Sequence, residues 1–337
     1  MEEKAEILSF ESLLIGYSSG KGKKILLPPL NAHAFKGELI AIVGQNGIGK
    51  STLLRTITGL QDALGGAVLI NSIPIRTYSR IDFARSIGYI STEPVKVSNM
   101  KVYDLVALGR FPHTDWLGKL TPGDHEIITD SIEKVGMTAF VARYITELSD
   151  GERQRVMVAR VLAQDTDLLL MDEPTAFLDI KSKYEIIHLM HELSRKRGKT
   201  IIYSTHDLNI ALSEADKIWL ILDNAFYEGA PEDLIIAGAF DKLFTDSLVK
   251  FNKNDGSFTF RNEFNGTIEV SGEGMVRVWT EKALNRAGYF VSEINAEMVV
   301  KVQTGINGFS WILDGQNLKM EFNSIYDLIT WLSAIPG

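Results

Sequence analysis

The chain contains no cysteine. Disulfides, thiolate metal sites and cysteine nucleophiles are therefore excluded. It also lacks a surplus of positive charge: 35 lysine and arginine residues against 43 aspartate and glutamate leave a net charge of −8. A dedicated nucleic-acid binder usually shows the opposite balance, so no nucleic-acid partner is expected. No apolar run approaches the ~18 residues of a membrane span. The stretch "MEEKAEILSF" is acidic, where a signal peptide would be basic and then apolar. The expected location is the cytoplasm, with any membrane role exerted through a partner. Internal repeats and low-complexity blocks are missing too.

What is present is a chain of 337 residues, more than one core usually holds, so two domains are expected. The first part, residues 1–250, alternates short apolar runs with helical patterns. "ELIAIVG" reads as a buried strand and "KSTLLRTITGL" as the helix after it, with Leu53, Leu54, Ile57 and Leu60 at its apolar positions. "DLLLMDEP" and "KTIIYSTHD" read as two further buried strands. Alternation of this kind predicts a parallel sheet with helices on its faces. Ligands in such sheets sit at the carboxyl ends of the strands. Gly44, Asp172 and His206 all fall at such ends.

Residues 251–266 read as a linker, and residues 267–337 as a small α+β domain. In the latter, "TIEVSG" and "AEMVVKV" suggest strands. "VRVWTEKALNRAG" suggests a helix with Val278, Trp279, Ala283 and Leu284 inward and Gly288 as its stop. "FSWILDGQNLKMEF" suggests a hairpin turning at Asp314-Gly315. Asn323 or Ser324 is placed to cap the last helix, "SIYDLITWLSAI". Trp279, Trp311 and Trp331 are expected in the core.

The densest chemistry lies in "GQNGIGKST", from Gly44 to Thr52. The spacing G-x-x-x-x-G-K-[ST] describes a phosphate cradle. Its glycines turn backbone N–H groups onto an anion, and the helix beyond aims its positive end there. Lys50 reaches the β- and γ-phosphates in this pattern, and Ser51 ligates Mg²⁺. At the end of "LLLMDEP", Asp172 can hold Mg²⁺ through water, and the adjacent Glu173 can orient or deprotonate an attacking water. Taken alone, "LSDGERQRVMVARVLAQ" is a capped helix, with Ser149 as N-cap and Glu152 in its first turn.

Together, Gly44–Thr52, Leu148–Glu152, Leu168–Glu173 and the run Ser204-Thr205-His206-Asp207 resemble the nucleotide-binding subunit of ABC transporters over about the first 250 residues. "VYDLVALGRFPH", "LSDGERQRVMVARVLAQDT" and "DEPTAFLDI" look most like the importers of iron–siderophore complexes, haem and cobalamin. The resemblance implies a P-loop NTPase fold of the ABC type, with a helical signature subdomain over about residues 92–160. It implies ATP and Mg²⁺ as cofactors and ATP hydrolysis coupled to transport. By the same resemblance Tyr17 stacks on adenine, and Gly44, Gln45, Asn46, Gly47, Gly49, Lys50, Ser51 and Thr52 hold the phosphates. Ser51 and Asp172 hold Mg²⁺. Glu173, His206 and Lys50 act on the reaction, with His206 as the switch at the γ-phosphate. Ser149 and Gly151 close on ATP bound to a second copy, and Asp179 touches that copy. Two copies pair head to tail, beneath membrane permease subunits and indirectly with a substrate-binding protein. The location is then peripheral, on the inner face of the membrane.

Two positions depart from the family pattern. Asp150 replaces the first signature glycine and is expected to point away from the phosphate. The glutamine that senses the γ-phosphate is replaced by Thr92, with Glu93 beside it. Thr92 could bond a water or Mg²⁺ through its hydroxyl, and Glu93 could bind the metal or be a solvated loop charge. His188 and His191 read as a surface helix face, since two imidazoles alone make a poor metal site. The competing function, a soluble ABC-type ATPase acting on ribosomes or DNA, would want two ATPase units, long heptads or basic arms, none of which the chain shows. For the C-terminal domain no motif assigns a job, and self-pairing across the dimer is expected from the layout of regulatory tails in the family.

Overall fold

The structure is a computed structural model that describes residues 5–19, 22–92, 99–245, 248–253, 256–260, 264–292, 294, 296–305, 308–315 and 318–334. The chain divides into two units, residues 1–247 with 251–257, and residues 248–250 with 258–337.

In the first unit a six-stranded sheet runs in the order Ala225–Gly229, Lys217–Leu222, Leu39–Gly44, Thr200–Thr205, Leu168–Met171, Ile87–Ile90. The first pair is antiparallel and every other pair parallel. The strands Leu39–Gly44, Leu168–Met171 and Thr200–Thr205 are buried throughout, which is why they read as unbroken apolar runs and not as alternating ones. Register brings the ends level: Val43 pairs with Thr205, and Met171 with Tyr203 on one side and Ile90 on the other. Gly44, Asp172 and His206 therefore leave the sheet at one edge.

A four-stranded sheet built on Glu6–Leu14, Leu30–Phe35, Gly65–Ile70 and Ile73–Pro74 contributes to the same core. Phe10 meets Trp219 with ring centroids 5.1 Å apart, and Leu53, Leu54 and Ile57 of the helix Lys50–Ile57 join this cluster. Leu60 does not, contrary to the periodicity. The helix stops at Ile57, Gly59 turns left-handed (φ 66°), and Leu60 is 68% exposed.

Between Ile87–Ile90 and Leu168–Met171 come the helices Val102–Ala107, Pro122–Lys134 and Asp150–Ala163. A buried ion pair ties them. Arg110 donates to Asp124 at 2.8 Å and to the carbonyl of Ala163 at 2.8 Å. Asp124 also accepts from the hydroxyl and N–H of Thr121, closing a capping box. Those Thr121 bonds, with Arg110, hold its carboxyl down at about 2 despite burial.

The second unit is a five-stranded sheet in the order Tyr289–Val291, Gly266–Ser271, Met298–Gly305, Gly308–Gly315, Leu318–Phe322. The first three strands are parallel and the last two antiparallel additions. Ile268, Val270, Val300, Trp311, Leu313 and Phe322 from the sheet meet Leu284, Leu328 and Leu332 from the helices Gly274–Arg286 and Ile325–Ser333. Ser324 caps the last helix, accepting from the N–H of Asp327. Three details differ from the sequence expectation. Helix Gly274–Arg286 turns Thr280, Ala283 and Leu284 inward, so Val278 and Trp279 are 49% and 56% exposed. Trp279 instead lies under the Lys282 ammonium, 4.9 Å from its ring centre. The hairpin turns after Asp314-Gly315, because those residues still pair with Lys319 and Leu318; the connecting residues 316–317 lie outside the described residues.

Candidate functional site

The loop after Leu39–Gly44 needs its glycines for two reasons, close packing at Gly44 and backbone angle at Gly47 and Gly49. A Cβ at Gly44 would lie 2.7 Å from the Ile221 carbonyl, and Gly47 and Gly49 adopt φ of 77° and 119°. Such angles favour glycine and let successive N–H groups face one anion. Gln45 and Asn46 are exposed, and the Gln45 amide reaches the Leu243 carbonyl at 3.4 Å. Lys50 is only 5% exposed and donates to the carbonyls of Gly44 (2.9 Å) and Gln45 (3.0 Å). Burial pulls its pKa down, and the charges of Glu173 and Asp172 act the other way. Tyr17, from the hairpin Gly16–Ser19 and Gly22–Ile25, has its hydroxyl 2.9 Å from that of Thr52 and leaves its ring half-exposed.

Asp172 is almost fully buried, and its Oδ1 accepts from Ser51 at 3.0 Å and Ser204 at 2.7 Å. Glu173 takes a left-handed backbone (φ 50°), which for a non-glycine residue costs about 1–2 kcal/mol. Its N–H donates to the Ser204 hydroxyl at 2.9 Å. Its Oε1 lies 2.5 Å from His206 Nε2, and His206 Nδ1 lies 3.4 Å from Lys50. The tertiary fold thus gathers Lys50, Ser51, Asp172, Glu173 and His206, drawn from three segments, around one point. Thr92 joins them, donating its hydroxyl to the Asp172 carbonyl at 3.0 Å. Glu93 lies outside the described residues.

Ser149, Gly151 and Asp179 make their contacts elsewhere. Ser149 caps the helix Asp150–Ala163 in a capping box with Glu152. The N–H and hydroxyl of Ser149 hold the Glu152 carboxyl below its usual pKa. Asp150 pairs with Arg153 at 2.8 Å, which turns its carboxylate along the helix. Asp179 caps the helix Ile180–Arg197 by accepting from the N–H of Ser182 at 2.7 Å, and that bond comes first among those lowering its pKa. Gly151 meets the same serine: a Cβ there would lie 2.7 Å from Ser182 Oγ. An ion pair between Arg155 and Glu185 runs alongside.

Sequence reasoning misses Ser182, and names Ser204 only within the run Ser204-Thr205-His206-Asp207, with no role of its own. Ser204 carries one signal, a hydroxyl at the carboxyl end of a buried strand, two positions before His206. Of the two helical histidines, His188 is exposed and His191 lies 2.8 Å from Glu214. Among the described residues no cluster of three acidic or histidine side chains could hold a metal. Nor, among them, is any helix long and apolar enough to cross a membrane.

Residues 27–176 match the family model of the ABC transporter, and residues 265–333 match the iron ABC transporter C-terminal domain. The chain is 40% identical over 204 residues to the iron(3+)-hydroxamate import ATP-binding protein FhuC of Bacillus subtilis, a span of 60% of this chain and 74% of that one. It is 34% identical over 245 residues to the ferric enterobactin transport ATP-binding protein FepC of Escherichia coli, covering 72% and 89% of the two. Among solved structures it resembles cbiO1 from Clostridium perfringens, part of the ABC transporter complex cbiONQ. The TM-score is 0.60 at 29% identity, over 71% of this chain and 96% of that one.

Proposed function

The chain belongs to the ABC transporter ATP-binding family, and on that premise we propose that it is the ATP-hydrolysing subunit of an importer for iron chelates of the siderophore class. The observation that carries the ATPase reading is the convergence of Lys50, Ser51, Asp172, Glu173 and His206. The cargo reading rests on the match over residues 265–333 and on relatives whose names describe import of iron(3+)-hydroxamate and ferric enterobactin.

The residues fit ATP and Mg²⁺. Phosphates meet the N–H groups of Gly44–Thr52 and the Lys50 ammonium, while the half-exposed Tyr17 ring offers a face to adenine. Ser51 and Asp172 already face each other at 3.0 Å, one hydroxyl and one carboxylate. So small a set of hard oxygens suits Mg²⁺, which takes few protein ligands and completes its shell with water and phosphate. The ion supplies charge neutralisation on the phosphate oxygens. Glu173 accepts the proton of the attacking water, and His206 fixes the direction of that carboxylate.

Cassettes of this family dimerise and work with permease subunits. We assign Ser149 and Gly151, at the exposed start of a helix away from Lys50, to the ATP of a second copy in a head-to-tail pair. Leu60 and Leu108 line a groove with Tyr89 and Arg160, and Phe111, Trp116 and Leu117 lie further along the chain as exposed apolar side chains. We assign the groove to the permease, which in turn receives cargo from a substrate-binding protein. The chain then sits peripherally at the inner face of the membrane.

The test is transport in proteoliposomes holding the chain with its permease and binding protein. ATP-dependent uptake of a labelled ferric hydroxamate, abolished by Glu173→Gln, is expected. Uptake of cobalamin instead would overturn the cargo reading, and hydrolysis without uptake of any chelate would overturn the importer reading.

A further inference from the structure

At the position where the family carries its γ-phosphate-sensing glutamine, this chain carries Thr92, and the hydroxyl of Thr92 is turned onto the protein. It donates to the carbonyl of Asp172 at 3.0 Å. That carbonyl belongs to the peptide group joining Asp172 to Glu173. The N–H of the same peptide group donates to the Ser204 hydroxyl at 2.9 Å, and Ser204 in turn donates to Asp172 Oδ1 at 2.7 Å. One residue earlier, the N–H of Asp172 donates to the carbonyl of Ile90 at 2.8 Å, the last ladder bond before Thr92. The peptide plane between the two carboxylates is therefore gripped at both of its polar ends, from two neighbouring strands.

The grip bears directly on Glu173, the next residue in the chain. Glu173 sits at φ 50°, a backbone region sparsely used by residues with a Cβ. Rotating the 172–173 peptide plane is the direct way to relieve that conformation, and the rotation would break both bonds and loosen the backbone that carries the glutamate side chain facing His206. A conformation of this kind persists only where its surroundings over-determine it. Ser204 supplies one constraint and Thr92 the other.

We infer that Thr92 is a positioning residue for the hydrolytic step: its hydroxyl, by holding the Asp172 carbonyl, fixes the peptide plane that aims Glu173 at the attacking water. The inference rests on the proposed catalytic role of Glu173. It gives Thr92 work different from metal ligation, since a ligand would act on binding of MgATP, whereas an aiming residue acts on turnover.

The experiment measures steady-state ATP hydrolysis by the full chain, with its permease, for the wild type, Thr92→Val, Thr92→Ser and Glu173→Gln. Thr92→Val should lower kcat by about tenfold or more and leave the KM for MgATP within about twofold. Thr92→Ser, which restores the hydroxyl, should recover most of kcat. The melting temperature of Thr92→Val should move by no more than a few degrees, separating aim from folding. Unchanged kcat in Thr92→Val, alongside a dead Glu173→Gln, overturns the inference and leaves the catalytic reading standing. A raised KM with kcat preserved makes Thr92 a ligand of the metal or nucleotide and overturns it too. An active Glu173→Gln removes the catalytic reading and the inference with it.

Discussion

The carboxylate of Glu173 lies 2.5 Å from Nε2 of His206, and the other ring nitrogen of that histidine lies 3.4 Å from the Lys50 ammonium. An ammonium can only donate, so this arrangement suits the imidazole tautomer that accepts at Nδ1 and donates from Nε2 to Glu173. Lys50 and Glu173, proposed to bind phosphate and to activate water, are thus connected through one imidazole.

Glu173→Gln keeps an oxygen able to accept from His206 but loses the base. ATP binding should survive, while kcat should fall by about 10²–10⁴-fold, the usual worth of a positioned general base. If ATP bridges two copies in the proposed head-to-tail pair, the variant does not consume the bridge and should sediment as a dimer with ATP and as a monomer without it. Turnover near the wild-type rate, measured with the permease present, would sink the assignment.

Lys50 and His206 should separate by kinetic signature. On the proposed reading, Lys50→Met removes a cation that meets the phosphates in the ground state. Titration calorimetry should show ATP affinity falling by roughly 1.5–3 kcal/mol, the worth of a hydrogen bond to a charged group. His206→Ala unties Glu173 but leaves the phosphate loop whole, so affinity should change little and kcat should fall. If both variants lose affinity equally, the histidine is a binding residue.

The helical segment has an acid-sensitive tie. Asp124 is held at about 2 in the fold by Thr121 and Arg110, below its ordinary 3.8. A depressed carboxyl contributes stability that is fully present above its unfolded value and is lost as pH falls through the folded one. Melting temperature should therefore decline between about pH 4 and pH 2, with part of the decline missing in Asp124→Asn. Asp124→Ala leaves the buried Arg110 guanidinium unpaired and should cost about 3–5 kcal/mol at neutral pH, read by urea denaturation. A loss below about 1 kcal/mol would mean that water reaches Arg110.

The second unit closes a core of its own around Ile268, Val300, Leu313 and Leu328. A chain ending after Ser257 should stay soluble and bind ATP. If the C-terminal units pair across the dimer, as the family layout suggests, nucleotide-free association of this shortened chain should weaken in sedimentation equilibrium. Pairing raises the effective concentration of the two ATPase units. Unchanged association would remove the pairing role, and aggregation would show that the ATPase unit needs the second unit to cover it.

What can be read in the sequence alone is local or periodic. The phosphate loop is contiguous, so its glycines and Lys50 stand in the order in which they act. The Ser149–Glu152 and Ser324–Asp327 caps span four residues each and are legible for the same reason. Strands buried on both faces appear as plain apolar runs, so three of them, and the edge they share, can be placed. Phase is harder. A helix start shifted by a residue or two rotates its inward face, and periodicity assigns Trp279 and Leu60, large and apolar, to cores that the helix geometry turns them away from.

Tertiary structure alone decided the relations between segments. Thr92 and Asp172 are separated by 80 positions, and Ser204 and Asp172 by 32. They meet because Ile87–Ile90 and Thr200–Thr205 flank Leu168–Met171 in parallel register. Sequence spacing says nothing about which strands become neighbours, and a hydroxyl acquires its partner only when that order is set. The chemical identity of the site is thus written in contiguous motifs, whereas the contacts that hold the Glu173 backbone depend on strand order and register.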